Sequence, residues 1–226
     1  MPLYRINDRT VLFLHVPKAG GTSVHRFLSA HGAAVSEVKA RDHTWAPCPP
    51  QHFHAAIFRQ MIPGALPDLV LSVVRHPARR LESEFFYRHL HRGRTRSIGF
   101  DFRIRPFSAM DGAARSHYFA RWARDALRKH ARDPFHLSNH LRPQVEFADW
   151  PGIVTYRLED GLTAALTDLA ARLDLPPPAA APRENLGGST LAAADRRLDW
   201  PDTLRQRVQE IYAADLARWY PSEAGG

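Results

Sequence analysis

The sequence holds a single cysteine, Cys48, in 226 residues, which excludes an intramolecular disulfide scaffold. Long apolar runs are missing too. The longest clean ones, such as Val11–Leu14 and Leu69–Leu71, fall far below the roughly 20 residues that span a bilayer. The opening stretch MPLYRINDRT lacks the hydrophobic core of a signal peptide. These absences give the expectation of a soluble, cytoplasmic protein. There is no internal repeat, and the Pro/Ala stretch 176–182 is the one low-complexity piece. With 44% hydrophobic and 24% charged residues, global disorder is excluded. Lysine is scarce: only Lys18, Lys39 and Lys129 occur, so arginine carries almost all the positive charge.

That charge is unevenly placed. Lys+Arg number 31 against 23 Asp+Glu, a formal +8. Residues 75–132 alone hold 15 against 5, leaving 16 against 18 elsewhere. Such a segment fits nucleic acid, an anionic lipid surface, an acidic small substrate, or merely a solvated arginine-rich face.

Periodicity predicts alternating strands and helices. Thr10–Val16 and Leu69–Arg75 read as buried strands, Gly152–Arg157 as a third, and Ala34–Val38 as a short one. A helix follows the Pro17–Gly21 breaker cluster and ends at Gly32. Pro77 opens another, carrying Leu81, Phe85 and His89 at helical spacing. Residues 113–132 have helical composition, Leu162, Leu166, Leu169 and Leu173 form a stripe, and Leu204 to Trp219 gives one final amphipathic helix. The expected fold class is α/β, a P-loop-like central parallel sheet flanked by helices. Residues 1–226 form one domain in this reading, with a basic, partly helical, substrate-facing insertion at about 92–150.

Strand, glycine loop and helix in that order make an anion site, because unpaired helix N–H groups and positive potential converge there. Here the segment is Lys18, Ala19, Gly20, Gly21, Thr22 and Ser23. In the NTPase loop the lysine follows the glycines, whereas Lys18 precedes them. No second strand ends in an Asp suited to magnesium. A nucleotide-dependent phosphotransferase on a related scaffold is the alternative, and a basic nucleic-acid binder is the more distant one.

HVPKAGGTS after a strand resembles the 5′-phosphosulfate loop of the PAPS-dependent sulfotransferase family, closest to its heparan sulfate 2-O-sulfotransferase and carbohydrate sulfotransferase branch. A strand ending in Arg75, with Ser83 eight residues on, is similar to the family's second phosphate motif. His140-Leu141-Arg142-Pro143-Gln144 resembles a later family segment, as do VTYRLEDGLTAALTDLAARL, PRENLGGST and the terminal QEIYAADLARWY. The resemblance covers about residues 10–220.

The resemblance implies PAPS as sulfuryl donor, PAP as product, no required metal, and a hydroxyl acceptor that is a small molecule or glycan, possibly acidic. It implies neither a nucleic-acid partner nor a membrane span. Lys18 would offset charge on the leaving group, residues 19–23 would hold the 5′-phosphate, and Arg75 and Ser83 would meet the 3′-phosphate. Arg183, Asn185, Ser189 and Thr190 fall in the cofactor-closing segment, and His140, Arg142 and Gln144 on the acceptor or cofactor side. A general base must take the acceptor proton. His52-Phe53-His54 stands where the branch has its H-G-H element, which carries the role to His54, with His52 as support or alternative. Phe53 replaces the glycine of that element. In extended backbone His52 and His54 share a face. A His-x-His can also be half of a metal site, but no third ligand has suitable spacing. Glu37 remains as another base, and His15 reads as a framework residue.

Overall fold

A computed structural model describes residues 3–34, 45–62, 67–91, 107, 110–178 and 196–223. The described chain builds a five-stranded mixed sheet in the order β3-β1-β2-β4-β5. Its strands are β1 (Leu3–Ile6), β2 (Arg9–Phe13), β3 (Ala33–Ala34), β4 (Leu69–Val74) and β5 (Val154–Arg157). β2, β4 and β5 run parallel, as the alternation of strands and helices predicts. The other two pairings are antiparallel. β1 pairs with β2 through a two-residue turn, and β3 joins the outer edge of β1. The turn residues Asn7 and Asp8 take φ of 45° and 62°, the left-handed values that a tight hairpin needs. The parallel-sheet expectation thus holds for the centre of the sheet, and an antiparallel flap extends one side.

Both faces of the centre are covered, which is why β2 and β4 read as mostly apolar runs, with the one buried hydroxyl of β4, Ser72, donating to the Leu14 carbonyl. Val11, Phe13, Leu71 and Val73 pack on α1 (Gly21–His31) and α6 (Leu162–Arg172). Leu12, Leu14 and Val70 face Phe53, Phe58 and Trp150, beneath α2 (Ala55–Met61). A separate apolar cluster joins α3 (Pro77–Phe86), α4 (Gly112–His130) and α7 (Asp202–Ile211) around Phe85, Phe119, Trp122 and Leu204. Exposed Arg121, Arg124 and Arg128 cover the outer face of α4, so that basic helix is also a wall of the core.

The terminal segment is two helices, α7 and α8 (Ala213–Trp219), rather than the one expected. They break at Tyr212, whose hydroxyl donates to the Leu141 carbonyl at 2.7 Å from a position 2% exposed. That buried anchor turns the chain where the apolar spacing alone would continue the helix. A four-residue helix, α5 (Gln144–Phe147), lies against α8.

Candidate functional site

The loop between β2 and α1 lies at the C-terminal edge of the parallel strands, where open α/β sheets bind ligands. Val16 and Ala19 anchor it by packing on Val74 and Phe147. Lys18 and Gly20 take φ of 68° and 84°, so the loop turns sharply into the helix. No side chain caps α1 and no acid occupies its first turn, which leaves its N-terminal amides suited to an anion. Gly21 is required by its neighbour, because a Cβ there would stand 2.0 Å from His15 Nε2.

Two arginines fix this loop to the rest of the edge. Arg75, at the end of β4, donates to the Lys18 carbonyl at 3.3 Å. Burial pulls its pKa below the ordinary arginine value, against the opposing pull of the Glu159 and Glu82 carboxylates. Arg80, 3% exposed, donates to the Pro17 carbonyl at 3.1 Å and to the His140 and Arg142 carbonyls at 2.7 and 2.8 Å. Ser83 lies three residues after Arg80 and four before Tyr87, on the helix face these residues turn to the loop. Lys18 Nζ rests 3.8 Å from the centre of the Tyr87 ring. Tyr87 opens a π-helical turn, Tyr87–His91, that continues α3.

Three histidines gather below the lysine. The His52 ring stands edge-on to His140 at 4.6 Å and to His15 at 5.6 Å. His15 is lowered to about 3 by burial first, then by His140, His25 and Lys18, and is neutral. His52 Nδ1 lies 3.1 Å from the Ser138 carbonyl. A carbonyl only accepts, so Nδ1 carries the proton and Nε2 is the acceptor nitrogen. His140 Nδ1 meets the carboxylate of Glu84 at 2.7 Å, with Glu84 itself 1% exposed.

His54 occupies different surroundings. Its ring faces Phe135 and Phe147, and its buried Nδ1 has no hydrogen-bond partner among the described residues. Burial and Arg142 lower its pKa. The shared face expected for His52 and His54 does not form. Residues Pro50–His52 make a 3-10 turn, and Phe53 plugs into the core at 1% exposure.

The later segment is tied to the edge by hydrogen bonds. Gln144 bonds both backbone groups of Arg75, at 2.9 and 2.8 Å, and is itself held by Asp215. Arg142 donates to Asn139 Oδ1 at 2.6 Å and pairs with Glu146. Glu159 accepts from the His76 amide and the Tyr220 hydroxyl, closing the edge beside Arg75. Arg183, Asn185, Ser189, Thr190 and Glu37 lie outside the described residues, as does 92–106 of the basic insertion.

The Sulfotransferase family model matches residues 3–221, nearly the whole chain. The chain belongs to the sulfotransferase family. No curated protein and no solved structure matches it. Membership supports sulfuryl transfer as the chemistry of this chain. Among the described residues no group of three or more His, Cys, Asp or Glu side chains is arranged to hold a metal ion. Among them, too, no helix is long and apolar enough to cross a membrane. Arg80, Glu84 and Tyr87 escape a motif reading, although their spacing is its own signal. Residues 80, 83, 84 and 87 form one helical face running through the Ser83 position.

Proposed function

We propose that the chain transfers a sulfuryl group from PAPS to a hydroxyl acceptor, a sugar or glycan, by in-line displacement with a histidine base. The observation that carries this reading is the bond from Arg75 to the Lys18 carbonyl, which knits the glycine loop and the end of β4 into one cationic edge. The donor set fits a doubly phosphorylated nucleotide: uncapped helix amides, a lysine and a half-buried arginine, with no acid in the first turn of α1. PAPS, when bound, supplies the sulfuryl group and leaves as PAP.

Lys18 offsets the charge that develops on the leaving phosphate. Residues 19–23 hold the 5′-phosphate, and Arg75 and Ser83 take the 3′-phosphate. Gln144 serves through Arg75 by fixing the end of its strand. The loop containing Arg183, Ser189 and Thr190 completes the donor site in this reading. His52 accepts the acceptor proton at Nε2, since Ser138 already holds its Nδ1–H and its ring belongs to the cluster beneath Lys18. His54 is the second candidate, its Nδ1 having no hydrogen-bond partner among the described residues.

Calorimetric titration with PAP tests the donor site, and labelled PAPS with a panel of sugars and nitrophenyl glycosides tests transfer. Saturable PAP binding is expected, weakened at least tenfold in Lys18→Ala. His52→Ala should keep PAP affinity and lose turnover; His54→Ala measured beside it ranks the two rings. Absence of PAP binding, or equal binding by wild type and Lys18→Ala, overturns the proposal. Full activity in both histidine variants removes the histidine base.

A further inference from the structure

The sulfotransferase chemistry proposed above needs a lysine and a base, and neither accounts for Glu84. This carboxylate is 1% exposed. Burying a charge costs several kcal/mol unless partners compensate it. Glu84 has two: Arg88 Nε at 2.5 Å and His140 Nδ1 at 2.7 Å. Burial raises its pKa, but His140, Arg88 and Lys18 together outweigh that and hold it ionised. His140 is kept neutral chiefly by burial, against the pull of Glu84. The Nδ1–H of His140 therefore points to the carboxylate, and Nε2 is its acceptor nitrogen.

The adjacent ring is anchored in the same sense. Ser138 O receives the Nδ1–H of His52, and Asn139 Nδ2 donates to the His52 carbonyl at 2.8 Å. The anchors come from Ser138 and Asn139, which with Leu137 are three successive residues at φ of 58°, 60° and 70° for 137, 138 and 139. Left-handed backbone is costly for residues other than glycine and persists only where surroundings enforce it. Arg88 bonds the Leu137 carbonyl at 3.3 Å, so one arginine holds both the strained turn and Glu84. Two edge-on imidazoles, each donating its Nδ1–H to a fixed acceptor, thus sit beside one buried negative charge.

We infer that Glu84 and His140 are positioning residues for the acceptor-side proton transfer: the Glu84 carboxylate, through His140, orients His52 and balances the charge it gains. This rests on the sulfotransferase reading. His52 takes the acceptor O–H proton as the new S–O bond forms and the donor S–O bond breaks. The electron pair leaves on the donor phosphate, whose charge Lys18 offsets, and the proton passes from His52 to solvent. The groups facing His140 are Glu84 from α3, Tyr87 and Arg88 from the π turn, Lys18 from the glycine loop, and His52 and His15. Glu84 is the one carboxylate among them, so its charge has no substitute there.

Glu84→Gln keeps an acceptor for His140 and removes the charge. PAP affinity and acceptor KM should stay within threefold of wild type, while kcat falls at least twentyfold and its acid limb moves to lower pH. The acceptor is the best of the sugar and glycoside panel, or water in PAPS hydrolysis. Unchanged kcat, or a loss matching only the unfolded fraction with the acid limb unmoved, overturns the inference. A second readout needs neither turnover nor a variant. Nitrogen-15 shifts of wild-type His140 should report a neutral, Nδ1-protonated ring from pH 5 to 8. A His140 that titrates near its ordinary value with equivalent nitrogens overturns the inference even if PAP binds. Failure of PAP binding with that signature present overturns the sulfotransferase reading instead.

Discussion

At the scale of single residues, Gly21 and His15 form a size constraint on the glycine loop between β2 and α1. Replacing a helical glycine by alanine ordinarily gains about 0.5–1 kcal/mol. Here the added methyl would meet His15 Nε2 at 2.0 Å, with no positive φ to blame. Gly21→Ala is therefore expected to lower the melting temperature and weaken PAP binding at least tenfold. Adding His15→Ala should restore most of the stability, a non-additivity that a double-mutant cycle measures. Additive losses would mean that the contact does not govern the site. The lysine-before-glycine order and the Arg75/Ser83 spacing were readable directly from the sequence. The separation of His52 from His54 was not. It depends on a 3-10 turn whose proline-rich approach says "loop" without saying which way each ring leaves it.

At the scale of elements, the strands of the parallel centre and the helices around them follow from apolar periodicity, because burial on both faces leaves little freedom in sequence. β1 was not read as a strand, although LYRI alternates and Asn7-Asp8 is a hairpin turn signal. Its four residues are too few for periodicity to speak. The break at Tyr212 was hidden for another reason: the helical stripe continues across it, and only the long-range bond to Leu141 redirects the chain. Arg80 is the comparable long-range joint at the site, linking α3 to the Pro17 carbonyl and to residues 140 and 142. An ammonium cannot reproduce that planar fork. Arg80→Lys should destabilise the fold by about 2–4 kcal/mol in chemical denaturation and weaken PAP binding as well. An unchanged midpoint would show that the three carbonyls do not depend on the fork.

At the scale of the whole molecule, the histidines make stability depend on pH. His15, His54, His89, His130, His136 and His140 are all held below their ordinary value of 6.5 by burial. Below that pH the unfolded chain binds protons that the folded chain refuses, so their contribution is full above 6.5 and is lost as pH falls. A fully buried ring contributes at most about 1.4 kcal/mol per pH unit, and half-buried His54, His130 and His136 contribute less. Glu84, held ionised in the fold, acts in the same direction below the ordinary carboxylate range. Melting temperature measured from pH 8 to 5 should hold steady to about 6.5 and then fall. A flat profile would mean that these rings are accessible to protons in the native state.

The sheet order carries a consequence for how the protein assembles. The β1–β2 hairpin closes locally, but β2 meets β4 only after residues 14–68 have been looped out, and β4 meets β5 only after 75–153. Non-local pairings close slowly because the chain loses loop entropy before contacts reward it. Lys18, Arg75 and Glu159 stand at the ends of those late pairings and reach one another only when all three strands are in register. The edge that we propose binds the donor is thus incomplete in the nascent chain until the sheet is finished. Ligand capture during refolding would time the last step of assembly rather than the first.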